Sequence, residues 1–199
     1  MSKIAERTGR IPARERLLAA AGALFYEEGF NNVGIERVIE RAGVAKASLY
    51  DCFGSKDALI RAYLQSRKEA RQARLREGLA KYTTPRERLL GVFDILGQII
   101  AEPSYRGCAF VKAGAEAVAG GGIRAVCEDS RRWLHDLFIE LSQDAGAIDP
   151  KALAQQLLML YDGASISAEM DRNPEAARAA RAAAAALLEV KIAAGPNEK

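Results

Sequence analysis

Residue types that most often do covalent or metal chemistry are sparse in this sequence. The single histidine, His135, shares a helical face with Glu128, Arg131 and Arg132, a setting for a solvated side chain rather than a base or ligand. Cys52, Cys108 and Cys127 form no C-x-x-C, and no His, Cys and Asp fall at metal-ligand spacing. Gly120-Gly121-Gly122 fits no phosphate-loop pattern and reads as a loop between helices. No catalytic residue, metal or cofactor is therefore expected, and a non-enzymatic role follows. The informative polar chemistry sits in residues 34–57, GIERVIERAGVAKASLYDCFGSKD. Two short helical patterns meet there at Gly43. The first buries Ile35, Val38 and Ile39, the second Leu49 and Phe53, and Ala42, Ala45 and Ala47 are small enough for a close crossing. With those positions turned inward, Lys46, Ser48, Tyr50 and Asp51 point outward. Cations and hydroxyls presented by the second of two such helices suit a polyanion, since that helix enters the DNA major groove and its first residues meet base edges.

The elements needed to position this segment read as helix throughout. Residues 13–28 place Leu17, Leu18, Ala21, Leu24 and Phe25 on one stripe that stops at Gly29. Ser55 can cap a helix running to about Tyr82, interrupted only by Gly78. Its charge run from Arg67 to Arg76 reads as a solvated face. Three later starts use a capping residue followed by proline: Thr84-Pro85 with Glu87 completing a capping box, Asp149-Pro150, and Asn173-Pro174. Tyr105 to Ala119 reads as a short small-residue helix, and residues 121–145 carry the stripe Ile123, Val126, Ser130, Leu134, Leu137 and Leu141. The expected fold class is all-α with about nine helices, divided into a helix-turn-helix domain at 1–54 (arm 1–11 flexible) and a second helical domain at 55–199.

Charge agrees with that division. Residues 1–82 hold 16 Lys/Arg against 10 Asp/Glu, net +6, whereas residues 83–199 hold 13 against 16, net −3. Only the first part is suited to a polyanion. Apolar residues make up 49% of the chain, enough for a large core, yet no run reaches the roughly 18 residues of a membrane span. The polar, basic start shows no secretory signal, and the odd cysteine count suits a reducing cytoplasm.

Leu24-Phe25, Gly29-Phe30, Glu40-Arg41-Ala42-Gly43-Val44-Ala45-Lys46, Leu49-Tyr50 and Phe53-Gly54-Ser55-Lys56-Asp57 together resemble the N-terminal domain of TetR-type transcriptional repressors over residues 13–62. The resemblance implies phosphate contacts from Tyr50 and Lys56, a groove position for Lys46 and Ser48, and a reach to DNA from Arg37. The tail with Lys3, Arg7 and Arg10 either follows the minor groove or is simply disordered, and plain disorder is the preferred reading. Two positions depart from the family pattern. Gly34 replaces a frequent Ser or Thr, leaving a backbone N–H for the phosphate, and Cys52 replaces a frequent His.

The rest of the chain fits the same resemblance. Residues 150–170 are apolar all round and Glu175 to Ala194 is alanine-rich, as expected of two helices that pair with their mates in a homodimer. Leu157, Leu160, Ala179, Ala183 and Leu187 are the interface candidates. Phe93, Leu96, Ile100, Cys108, Phe110, Trp133, Leu137, Tyr161 and Asp162 are the candidate lining of an effector cavity, with plain core packing the competing reading for each. The expected partners are double-stranded palindromic operator DNA, a second copy of the chain, and a small apolar or amphipathic effector that releases the operator. Leu75 and Leu79 should pack on the second domain and tie its state to the DNA-binding helices. Two alternatives stand beside this: a thiol-sensing repressor using Cys108 or Cys127, and a DNA-binding protein without ligand control.

Overall fold

The structure, a computed structural model, describes residues 11–192. Lys3, Arg7 and Arg10 lie outside the described residues. Among the described residues the chain forms nine α-helices: α1 (Ala13–Glu28), α2 (Ile35–Ala42), α3 (Lys46–Phe53), α4 (Lys56–Leu79), α5 (Pro85–Ile100), α6 (Ala109–Glu116), α7 (Gly122–Asp144), α8 (Pro150–Met170) and α9 (Ala176–Lys191). No strand occurs among them; one isolated antiparallel bridge joins Ala147 and Ile192.

Local sequence explains most boundaries. Thr84 accepts from the Glu87 backbone N–H while the Glu87 side chain accepts from Thr84 N, a complete capping box with Pro85 at the first turn. Asp149 caps α8 by accepting from Ala152 N at 3.1 Å, and Ser55 Oγ accepts from Ala58 N at 3.1 Å at the start of α4. Asn173-Pro174 does not begin a helix. Asn173 Oδ1 accepts from Glu175 N at 3.0 Å, and helix starts only at Ala176. Asparagine closes a local turn there in preference to capping, one of the alternatives its short side chain offers the backbone.

The described residues fall into two compact units. One comprises residues up to Ser66 together with Ala113–Val126; the other comprises Arg67–Lys112 and the residues from Cys127 onward. In the first, Leu17, Ala21, Leu24 and Phe25 of α1 pack with Val38 of α2, Leu49 of α3 and Leu59, Tyr63 and Leu64 of α4, all buried. The second is built on α5, α8 and α9 with Leu75 and Leu79 of α4 and Leu134, Phe138 and Leu141 of α7. Close approach in this unit depends on a missing side chain: a Cβ on Gly78 would stand 2.5 Å from Ile95 Cδ1. Alanine at this point would displace the buried Ile95 side chain, which gives a helix-weakening residue a packing role inside a long helix.

Candidate functional site

In the first unit, α3 is pinned from beneath and open above. Leu49 is fully buried, Phe53 is half-buried with the Arg14 guanidinium 5.1 Å over its ring, and Lys46, Tyr50 and Asp51 are exposed. Ser48 is half-buried rather than fully outward. The turn before α3 is held by α1: Arg16 Nη1 donates to the carbonyls of Ala42 and Gly43 at 2.9 and 2.8 Å, satisfying the last acceptors of α2 where a cation also favours the helix dipole. Val44 N and Gly43 N return to Ile39 O and Glu40 O, closing the α2 end. Only Ala42 of the three small residues lies in the crossing; Ala45 and Ala47 are exposed, and Ile35 and Ile39 are half-buried at its rim. Eight-residue helices are too short to hide two full turns of apolar side chains.

Two of the candidate DNA-reaching cations are occupied within the unit. Arg37 makes a two-point pair with Glu28, Nη1–Oε2 at 2.6 Å and Nη2–Oε1 at 2.9 Å. Lys46 Nζ lies 3.0 Å from Glu36 Oε1. The hydrogen bonds from Arg37 and Lys46 hold the Glu28 and Glu36 carboxyls below the usual carboxylate range. All four side chains are largely exposed, so these pairs exchange readily with other ions. Lys56, at the first turn of α4, is half-buried, and Gly34 precedes α2 as an exposed extended residue without a side-chain cap. Cys52 is half-buried.

A contact that sequence periodicity does not reveal anchors the turn leading into α2. Glu116, the last residue of α6, accepts from Asn31 N at 2.8 Å. Its carboxylate rests on Gly29, where a Cβ would lie 2.6 Å from Oε1.

The second unit redistributes the candidate pocket residues. Phe93, Leu96, Ile100 and Tyr161 are buried core. Phe93, Phe138 and Tyr161 form a ring cluster with centroids 6.0 to 6.5 Å apart. Burial pushes the Tyr161 phenol up to about 12, so it stays neutral, although Arg71 and Arg74 pull the other way. Cys108, Phe110, Trp133 and Leu137 are half-buried, whereas Cys127 is buried. Asp162 pairs with Arg131 and so has its charge matched within the unit. A cavity of about 710 Å³ opens elsewhere, between Ile100, Glu102, Tyr105, Arg106, Glu169 and Arg172, and shares only Ile100 with the sequence-derived set.

The charge run on α4 is not a uniformly solvated face. Lys68 pairs with Asp129 and Arg74 with Glu102. Arg71 turns toward α6 and α7, where Nη2 donates to Ser130 O and Oγ, both at 2.7 Å, and the guanidinium lies 4.8 Å over Phe110 and 5.9 Å over Trp133. The sequence did carry the signal. Lys68, Arg71, Leu75 and Leu79 recur at three- and four-residue steps, so Arg71 lies in register with two leucines of the core. His135 is likewise half-buried, its Nε2 shielded from water, rather than exposed.

For the expected interface, Leu157 is fully buried in the unit's own core and packs within its chain. Leu160 and Leu187 are half-buried, and Ala179 and Ala183 are exposed. Uncovered apolar side chains of α8 follow a helical stripe, with Met159 63%, Ile166 44% and Met170 78% exposed. On α9, Val190 is 72% exposed. An all-round apolar helix is thus buried on one side only in the single chain. No helix among the described residues is long and apolar enough to cross a membrane.

Two short helices packed at a capped turn, with an exposed polar α3 on an α1 support, define a helix-turn-helix DNA-binding unit. Residues 17–63 match the family model described as bacterial regulatory proteins, tetR family. SCO4454, a TetR-family transcriptional regulator of Streptomyces coelicolor, is 31% identical, with a TM-score of 0.85 over 90% of this chain and 95% of that one. A TetR-type regulator of Streptomyces avermitilis is 32% identical, with a TM-score of 0.78 over 91% and 98%. The repressor NemR of Escherichia coli is 29% identical over 81% of this chain and 86% of its own. The match to the activator FasR of Mycolicibacterium smegmatis, 34% identical, spans 49% of this chain and 46% of FasR. The chain belongs to the TetR family and is a DNA-binding transcriptional regulator.

Proposed function

We propose that the protein is a repressor of the cytoplasm that binds a palindromic operator as a homodimer and releases it when a small molecule occupies the second helical domain. The observation that carries the reading is the two-sidedness of α3: Leu49 fixes the helix while Lys46, Tyr50 and Asp51 stand free above it. The helix-turn-helix of residues 1–54, joined in its compact unit by the first residues of α4 and by 113–126, serves DNA binding, and the second unit serves sensing and dimerisation. Tyr50 and Lys56 meet phosphates, Lys46 and Ser48 face the groove, and Arg37 reaches the backbone after leaving Glu28. Two such helices half-sites apart, roughly 34 Å, convert one weak contact into useful specificity. The uncovered stripe Met159, Ile166 and Met170 with Ala179, Ala183 and Val190 supplies the apolar surface for a second copy. In α4, the first residues belong to the DNA-binding unit and Arg71, Leu75 and Leu79 to the sensing unit, so this helix is the route of coupling.

The test is duplex binding across a salt series. Lys56→Ala should weaken operator and unrelated duplex alike and lower the steepness of the salt dependence by about one unit, because a phosphate contact carries no base information. An unchanged slope removes Lys56 from the interface; failure of the intact chain to select any palindrome from a random duplex pool removes the operator reading.

A second reading has one observation in its favour. The solved NemR, 26% identical with a TM-score of 0.74, is described as its reduced form, and Cys108 here is half-buried rather than sealed like Cys127. Thiol control predicts that mild peroxide lowers operator affinity in the intact chain and not in Cys108→Ser.

A further inference from the structure

We infer that the second unit holds a recognition site for a monoanionic organic carboxylate, centred on Arg71 and walled by Phe110 and Trp133. This rests on the reading of that unit as the effector-binding body. It narrows an apolar or amphipathic effector to one that carries a single carboxylate.

The argument is an account of donors and charges. A guanidinium carries five N–H groups. Arg71 Nη2 spends its two on Ser130 O and Oγ. Nε is shielded from water with no acceptor. The two rings stabilise the cation from the direction of their faces but accept nothing in the plane of the guanidinium, where its remaining N–H groups point. A partly buried cation with unused donors is costly unless an anion completes it.

The neighbouring cations do not compete for that role. Lys68 is matched by Asp129 and Arg74 by Glu102, and Arg131 by Asp162. Arg71 presents one guanidinium charge whose hydrogen bonds go to Ser130 and to no carboxylate, which suits a single negative charge better than a phosphate dianion. Arg71 and Tyr161 are near enough to interact, and the neutral phenol adds no competing anion. Phe110 and Trp133 are half-buried, so apolar surface remains beside the guanidinium for the body of the ligand. Ser130, 1% exposed, holds the guanidinium in place, its carbonyl and hydroxyl both accepting from Arg71 Nη2.

Trp133 is the only tryptophan in the chain, so its emission reports on this site without labelling. The full chain is titrated with octanoate, with octanamide as its uncharged counterpart, and with inorganic phosphate. Octanoate should change Trp133 emission saturably, at about one-tenth or less of the octanamide concentration, because a charge-assisted hydrogen bond is exchanged for a neutral one. Phosphate should produce no saturable change. Arg71→Gln should erase the preference of acid over amide, while Arg71→Lys should keep part of it. Should Arg71→Gln lose helical signal, Ser130→Ala is the second variant; it frees one Nη2 donor, the carbonyl of residue 130 keeping the other, and should preserve or increase the acid preference. Equal binding of acid and amide overturns the inference and leaves an effector cavity of another character. Absence of any Trp133 response, binding of phosphate instead of octanoate, or loss of acid preference in Ser130→Ala also overturns it. Operator affinity is measured separately at saturating octanoate. Binding without release would refute the sensing reading while the carboxylate site stood.

Discussion

Replacing Gly29 with alanine tests whether the Glu116 contact fixes the turn that leads into the helix-turn-helix. Gly29 follows α1 with φ 81° and ψ 150°, while its N–H donates to Phe25 O at 3.1 Å. This backbone region is nearly exclusive to glycine, and forcing a side chain into it costs about 1–3 kcal/mol. The new Cβ would also stand 2.6 Å from Glu116 Oε1 and 3.2 Å from Oε2, so the carboxylate must move off Asn31 N, which it now accepts from at 2.8 Å. Losing that bond in its exposed setting adds roughly 1 kcal/mol. Gly29→Ala should therefore destabilise the first unit by about 2–4 kcal/mol. Urea unfolding followed by far-ultraviolet circular dichroism measures the loss, with Trp133 emission as a separate reporter of the second unit. A double-mutant cycle with Glu116→Ala separates the causes. Glu116→Ala removes the collision but not the backbone strain, so the double variant should be more stable than the sum of the single losses implies. A cost below about 1 kcal/mol for Gly29→Ala, or strict additivity in the cycle, would refute the reasoning.

Two further outcomes follow from other features. Met159→Asp and Ile166→Asp leave the single-chain core untouched, since both side chains are exposed there, yet each should yield monomers in sedimentation with loss of palindrome binding; an intact dimer in both places the interface elsewhere. Tyr161 has a phenol whose folded value, about 12, exceeds that of the unfolded chain, so its contribution is complete below about pH 10 and lost as pH rises toward 12. Wild type should thus lose up to about 2 kcal/mol more than Tyr161→Phe over that interval in urea midpoints, and parallel curves would contradict the assignment.

Elements governed by neighbours in sequence were legible before the structure. Thr84-Pro85 and Asp149-Pro150 announce helix starts because the capping side chain and the donors it satisfies lie within four residues. Asn173-Pro174 carries the same letters and fails, because Asn173 satisfies Glu175 N first. The segment expected to be helical from Tyr105 to Ala119 keeps that form only over Ala109–Glu116. The exposure of Lys46, Tyr50 and Asp51 on α3 was also readable, since one buried leucine fixes the phase of eight residues, whereas Ser48, half-buried, and Ala45 and Ala47, exposed, departed from it. What was hidden depends on distant partners: Glu116 meets Asn31 across 85 positions, and Arg71 meets Ser130 across 59. A run of charges is ordinarily solvated, so composition alone misplaced Arg71, although its register with Leu75 and Leu79 pointed inward.

The carboxylates beside Arg37 and Lys46 bear on how such a protein travels over DNA. On the proposed reading, Arg37 would reach the backbone and Lys46 the groove only by changing partners, with Glu28 or Glu36 given up in the exchange. Because the displaced partner is an intramolecular carboxylate, the net charge delivered to the duplex is smaller than the number of basic side chains touching it. Fewer condensed cations are then expelled, and attachment to arbitrary sequence is correspondingly loose. A loose hold shortens each unproductive stop, so the protein samples more of the genome per unit time before base contacts retain it at a matching site.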